Sequence, residues 1–102
     1  MEPFSKIRDW ASERGLYESG DTKTQCLKLG EEYGELCRGI IKQDEKEITD
    51  AIGDMVVVLT NLAELHGNPI ENCIEAAWNE IKNRKGKMKN GSFTKDDTKR
   101  KD

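Results

Sequence analysis

The sequence predicts an all-α protein, an antiparallel helical bundle of about four helices that is completed by oligomerisation. Three observations lead there. Apolar residues recur at three and four positions through most of the chain, capping residues bound the periodic segments, and the connections between them are short. Apolar residues make up 34% of the 102 positions and charged residues 36%, above the roughly 25% charged content of ordinary soluble domains. So polar a chain has little apolar area for a private core, and a second copy of itself is the simplest source of more.

The first element runs from Pro3 to about Arg14, with Phe4, Ile7, Trp10 and Ala11 at helical spacing and proline suited to the first turn. Gly15 ends it, and the stretch "GLYESGDTKT" reads as a loop in which Asp21 or Thr22 can cap the next helix. From Thr22 to Gln43, Cys26, Leu29, Tyr33, Leu36, Cys37, Ile40 and Ile41 form one apolar stripe. Asp44 with Glu47 resembles a capping box, opening a third helix that runs to His66 and stops at Gly67. Its centre, "MVVVL", is apolar on all sides, as expected of a helix packed on several sides. Asn68-Pro69 reads as a cap and first-turn pair for a fourth helix over Ile70 to Lys85, with Trp78 in its core face. Asn90-Gly91 marks a turn. One domain over residues 1–93 is expected, followed by a charged, disordered tail over 94–102.

Several classes are excluded or disfavoured. Cys26, Cys37 and Cys73 form no CxxC pair, and on one helix Cys26 and Cys37 lie about 16 Å apart at ~1.5 Å per residue, too far for a disulfide. Reduced thiols and the lack of a signal-type start or a membrane-length apolar run point to a cytoplasmic protein. Net charge is −3, and residues 86–102 hold six basic and three acidic side chains, which leaves −6 for residues 1–85. An acidic body is a poor nucleic-acid surface, and the short, mixed basic tail does little to change that.

The acids are patterned. On the second helix Gln25, Lys28, Glu32, Glu35 and Gly39 share a stripe that borders the apolar one, with Glu31 further round. On the third helix Glu47, Asp50, Asp54 and Asn61 share another, and Asp54 immediately precedes the apolar run. An ExxE alone is usually a solvated face, whereas two acidic stripes on successive helices, both beside apolar residues, make a cage of oxygens suited to a hard divalent ion and a phosphate. Salt bridges to Lys28, Arg38 or Lys42 are the alternative compensation for charge at the core border. A di-iron centre would need Glu-x-x-His pairs, but the sole histidine, His66, has Ala63 three positions before it. Phosphate loops of the GxxxxGK type and nucleophile triads are likewise missing.

Four segments, "IRDWASERGL", "LKLGEEYGELCRGI", "ITDAIGDMVVVLTNLAELHGN" and "AAWNEIKNRKGKMKNG", resemble the MazG-like all-α nucleoside triphosphate pyrophosphohydrolases, especially their short single-domain bacterial and phage members. The resemblance implies a hydrolase that cleaves (d)NTP to (d)NMP and pyrophosphate, with Mg²⁺, or Mn²⁺ in its place, held by ExxE on one helix and ExxD on the next. Carried over, the metal ligands are Glu32, Glu35, Asp54, Asp50 and the neighbouring Glu31, and the catalytic base is Glu32 or Glu35. Ala51 stands where the family's usual glutamate does, with Asp50 beside it as a substitute. Substrate contacts fall to Lys28, Asn61, Asn79, Lys82, Arg84 and Lys85, although the cations at the end of the fourth helix equally suit its dipole, with Trp10 as either a base-stacking wall or a core residue. A homodimer or a tetramer of dimers is implied. The competing reading is a helical oligomeric interaction module that kept the fold and lost turnover, for which Ala51 is the main support.

Overall fold

The computed structural model describes residues 2–96. It comprises α1 (Pro3–Glu13), α2 (Leu16–Ser19), α3 (Thr22–Lys42), α4 (Glu45–His66), α5 (Ile70–Ile81) and a two-stranded antiparallel hairpin, β1 (Gly86–Lys89) and β2 (Ser92–Lys95). The fold is all-α in its body, as the periodicity predicts.

The helix boundaries follow their caps. Glu2 accepts the N–H of Phe4 at 3.1 Å ahead of α1, where Pro3 fills the first turn. Asp21 takes the capping role before α3, accepting from the Thr24 N–H at 2.7 Å and its hydroxyl at 3.1 Å. Asp44 accepts the Glu47 N–H at 3.2 Å ahead of α4, but the Glu47 carboxylate turns away to Arg38, so only half of the capping box forms. Gly67 closes α4 with φ 92°, a left-handed conformation that costs glycine nothing. Pro69 sits at the cap position of α5, one place earlier than expected.

The α3–α4 pair is the centre of the molecule. Gly39 is buried between the two helices, and a side chain there would meet the Ile48 Cγ1 at 3.1 Å and its backbone N at 3.2 Å, so glycine permits the close approach. Ala51 and Val58 of α4 are buried, and Ala11 anchors the body from α1. Packed beside them are polar groups: Thr60 returns its hydroxyl to the Val56 carbonyl at 2.7 Å, and Asn61 accepts from the Tyr17 hydroxyl at 2.5 Å.

Four expectations change. Leu16–Ser19 form a short helix inside the segment read as a loop, started by Gly15 at φ 78°. The fourth predicted helix ends at Ile81 rather than Lys85, because the chain turns there into the hairpin. Asn90 and Gly91 both have positive φ, 50° and 83°, the two-residue turn that matches strand twist, and β2 extends through Thr94 and Lys95, the first residues of the predicted tail; residues 97–102 of that tail lie outside the described residues. Trp78 is not a core residue of the chain: it is 53% exposed, because among the described residues α5 packs chiefly on α4 and its other faces are uncovered.

Candidate metal centre

Glu32 and Glu35 sit one turn apart on α3, and Asp54 faces them from α4. One oxygen of each lies within 4.8 Å of the others. The local sequence explains the convergence: Glu32 shares the side of α3 that holds Gly39 against α4, and Asp54 lies one turn beyond buried Ala51. Glu32 and Glu35 are half-buried and Asp54 is exposed. The three therefore line a border between helix contact and solvent.

The electrostatics are unfavourable for three bare carboxylates. Burial pushes the Glu32 carboxyl above the ordinary range, and the charges of Glu35 and Asp54 push it further, with Lys28 opposing. The Glu32 Oε1 is buried and has no hydrogen-bond partner. A hard divalent cation fits this donor set, since it takes carboxylate oxygens and would satisfy the orphaned one.

Beside the trio, a cleft of about 320 Å³ is lined by two of its members, Glu35 and Asp54, with Asp44, Lys46, Glu47 and Asp50. Asp50 opens into it but is exposed and paired with Lys46 at 2.8 Å, four residues back on α4. Glu47 pairs with Arg38 at 3.1 Å, tying the cleft's floor to α3. Glu31 is exposed and stays outside the trio.

The remaining candidates lie elsewhere. Asn61 is buried against Tyr17 beneath α2. Trp10 is 49% exposed and carries the Arg14 guanidinium 4.4 Å from its ring centroid, a cation–π contact. Asn79 accepts from Lys82 at 3.1 Å near the end of α5, and Arg84 and Lys85 follow in the exposed turn before β1. None of these α5-end residues lines the carboxylate cleft within the chain.

Sequence reasoning missed a second polar junction. Arg8 of α1 donates both guanidinium nitrogens to Glu71 of α5, at 2.9 and 2.7 Å, and the Glu64 carboxylate lies near enough to raise the pKa of Tyr17 further, after burial has done so. Arg8 and Glu71 are 63 residues apart, and no spacing rule links positions so distant.

Comparison with known proteins agrees with this geometry. The family model of the MazG nucleotide pyrophosphohydrolase domain matches residues 21–88, from the cap of α3 into β1, and so includes all three clustered carboxylates. An uncharacterized 18.2 kDa protein in the rep-hol intergenic region of Haemophilus phage HP1 is 42% identical over 72 residues, 71% of this chain and 43% of that protein. The chain therefore spans less than half the length of that relative. No solved structure matches it significantly. The extent of the family match, over 68 of the 102 residues, makes this chain a member of the MazG nucleotide pyrophosphohydrolase domain family.

Proposed function

We propose that the chain hydrolyses nucleoside or deoxynucleoside triphosphates to the monophosphate and pyrophosphate, using the Glu32–Glu35–Asp54 cluster. The observation that carries this reading is the convergence of three carboxylates from two helices around a buried, unpartnered Glu32 oxygen in a chain of this family. Glu32, Glu35 and Asp54 would hold Mg²⁺, or Mn²⁺, with Asp50 and Glu31 close by. Bound there, the ion would neutralise phosphate charge and make the attacked phosphorus more electrophilic.

The chain's own residues account for the rest. Water is split across the α–β phosphoanhydride: its oxygen joins phosphorus, the bridging oxygen leaves with the bond's electron pair, and a carboxylate takes the proton. Glu32 or Glu35 would be that base. Lys28, one turn from Glu32, contributes positive charge on the same stripe, while Lys82, Arg84 and Lys85 supply phosphate contacts and Trp10 offers a ring for stacking a base. The working protein is a cytoplasmic homodimer or a tetramer of dimers.

The test is direct. Purified protein is incubated with each common NTP and dNTP and Mg²⁺, and products are separated by chromatography, with Glu35→Gln and Asp54→Asn alongside. Monophosphate and pyrophosphate that both substitutions abolish support the reading. One observation favours a second reading: Ala51, in place of the family's acid, is buried at 1% exposure, so this position offers no oxygen. A folded, oligomeric protein that hydrolyses no nucleotide would establish the interaction module instead.

A further inference from the structure

A step of seven residues returns to the same helix face with a drift of only about 20°. One such step back from Glu32 on α3 is Gln25, and one step on from Asp54 on α4 is Asn61. The two helices are joined by a short connection and run antiparallel, with Gly39 close against Ile48, so these opposite steps lead to one level. Gln25 and Asn61 therefore form a second polar layer, about 10 Å along the helix contact from the carboxylate trio at ~1.5 Å per residue. Lys28 lies between the two layers on α3.

Both amides are sequestered, Gln25 at 7% exposure and Asn61 at 2%. Thr60, the other buried polar side chain among the described residues, satisfies itself on the Val56 carbonyl. The amides do not: among the described residues the Gln25 carboxamide has no hydrogen-bond partner, and Asn61 is bonded through Oδ1 alone, by the Tyr17 hydroxyl. Neither is wholly enclosed, since the fully enclosed side-chain atoms that lack a partner are oxygens of Glu32 and Glu64. Buried hydrogen-bonding capacity is costly when left unused, and capacity that still touches solvent is open to a ligand.

Tyr17 decides which capacity is left. It comes from α2, ahead of the residues 21–88 that the family model matches, and burial, more than the nearby Glu64 charge, holds its hydroxyl protonated. A donor against Oδ1 fixes the rotation of the Asn61 carboxamide, so the group left over is Nδ2, itself a donor. Gln25 is not pinned and can turn its Oε1 to a ring N–H.

We propose that Asn61 and Gln25 read the base of the bound nucleotide, selecting bases that set a carbonyl oxygen beside a ring N–H, as uracil, thymine and guanine do, over cytosine and adenine. The Asn61 Nδ2 donates to the carbonyl and the Gln25 Oε1 accepts from the ring N–H. Cytosine and adenine put an amino group where the carbonyl would be, so a donor meets a donor. The spacing of the layers suits a nucleoside, whose 5′ phosphates would lie at Glu32, Glu35 and Asp54 with only the edge of the base at the amides. The inference rests on the proposed hydrolase for the site of the phosphates, and on the unused amides for the base.

Titration calorimetry with Mg²⁺ and the α,β-imido analogues of dUTP, dTTP, dGTP, dCTP and dATP reads this without turnover. The first three should bind on the order of 10–100-fold more tightly than the last two, the scale of one good bidentate base contact. Asn61→Asp keeps the shape and the bond from Tyr17 but replaces the donor by an acceptor, and should reverse that order. Tyr17→Phe frees the Asn61 carboxamide to rotate and should bring the five affinities together. Inorganic tripolyphosphate, which has no base, should bind both variants as it binds wild type, and this separates a lost base contact from a damaged fold. Equal wild-type affinity for all five analogues overturns the inference, as does an unchanged order in both variants. If wild type hydrolyses all five natural nucleotides with equal kcat/KM, the hydrolase stands and the base reading falls; if it neither hydrolyses nor binds any of them, both fall.

Discussion

Glu32 and Glu64 each hold one buried carboxylate oxygen without a partner, yet they occupy opposite electrostatic regions. Glu32 lies among Glu35 and Asp54, and its pKa is raised by burial and by their charge. Glu64 lies near Arg8, whose own pKa is raised, first by its hydrogen bonds to Glu71 and further by Glu64. The same side chain, similarly placed at a helix contact, is a liability in one region and a stabilising neighbour in the other. An orphaned oxygen among like charges points to a ligand from outside the chain, whereas one beside a guanidinium is compensated from within.

Substitution should separate the two regions most sharply in activity. Glu35→Gln or Asp54→Asn is expected to lower turnover by on the order of 10²–10⁴-fold, whereas Glu64→Gln should change it by less than about tenfold. Product chromatography with the best nucleotide measures both, and a comparable loss in Glu64→Gln would erase the distinction. Next in size is the response to metal. Mg²⁺ at about 100 times its dissociation constant should stabilise the wild type by about 2.7 kcal/mol, seen as a rise in thermal midpoint that Asp54→Asn loses and Glu64→Gln retains.

Metal-free stability should move in opposite directions. Glu32→Gln removes a like charge from the trio and is expected to raise the midpoint by a few degrees, on a scale of about 4–8 °C per kcal/mol for a domain of this size. Glu64→Gln removes attraction to Arg8 and should lower stability by up to about 1 kcal/mol. Calorimetry in chelator decides, and a loss of stability in Glu32→Gln would mean that its charge is already compensated within the chain.

The smallest effect concerns pH. Glu71 has its carboxyl held below the ordinary range, chiefly by the Arg8 hydrogen bonds. Its folded pKa is depressed, so the pair's contribution is present above the unfolded carboxylate value and is lost as pH falls through the folded one. The stability difference between wild type and Arg8→Ala should therefore shrink on acidification through that window. A difference that stays constant would assign the effect of Arg8 to packing alone.

The acidic stripe of α3 was legible because helical periodicity converts spacing directly into a face: Glu32 and Glu35 border the apolar stripe in the sequence and are half-buried in the structure. Asp54 was legible for the same reason, as an acid directly before an apolar run. The hairpin was not, since "GKMKNGSFTK" has only Met88 and Phe93 to alternate among lysines, and four-residue strands give too few repeats to announce a period of two. Trp78 misled because periodicity says that a residue shares an apolar face but not whether its own chain covers that face.

The sequence by itself determined the four longer helices, the caps at Asp21 and Asp44, the turn at Asn90-Gly91 and the pairing of acids on successive helices, all consequences of interactions within a few residues. Only the tertiary structure decided that Glu32, Glu35 and Asp54 form the trio while Asp50 turns to Lys46, that Arg8 reaches Glu71, and that Ile74 and Ala77 of α5 share a groove with Leu59 and Ala63 of α4. Those outcomes depend on how the helices are rotated and tilted against one another. That is set by close contacts such as Gly39 against Ile48, and no local pattern encodes them.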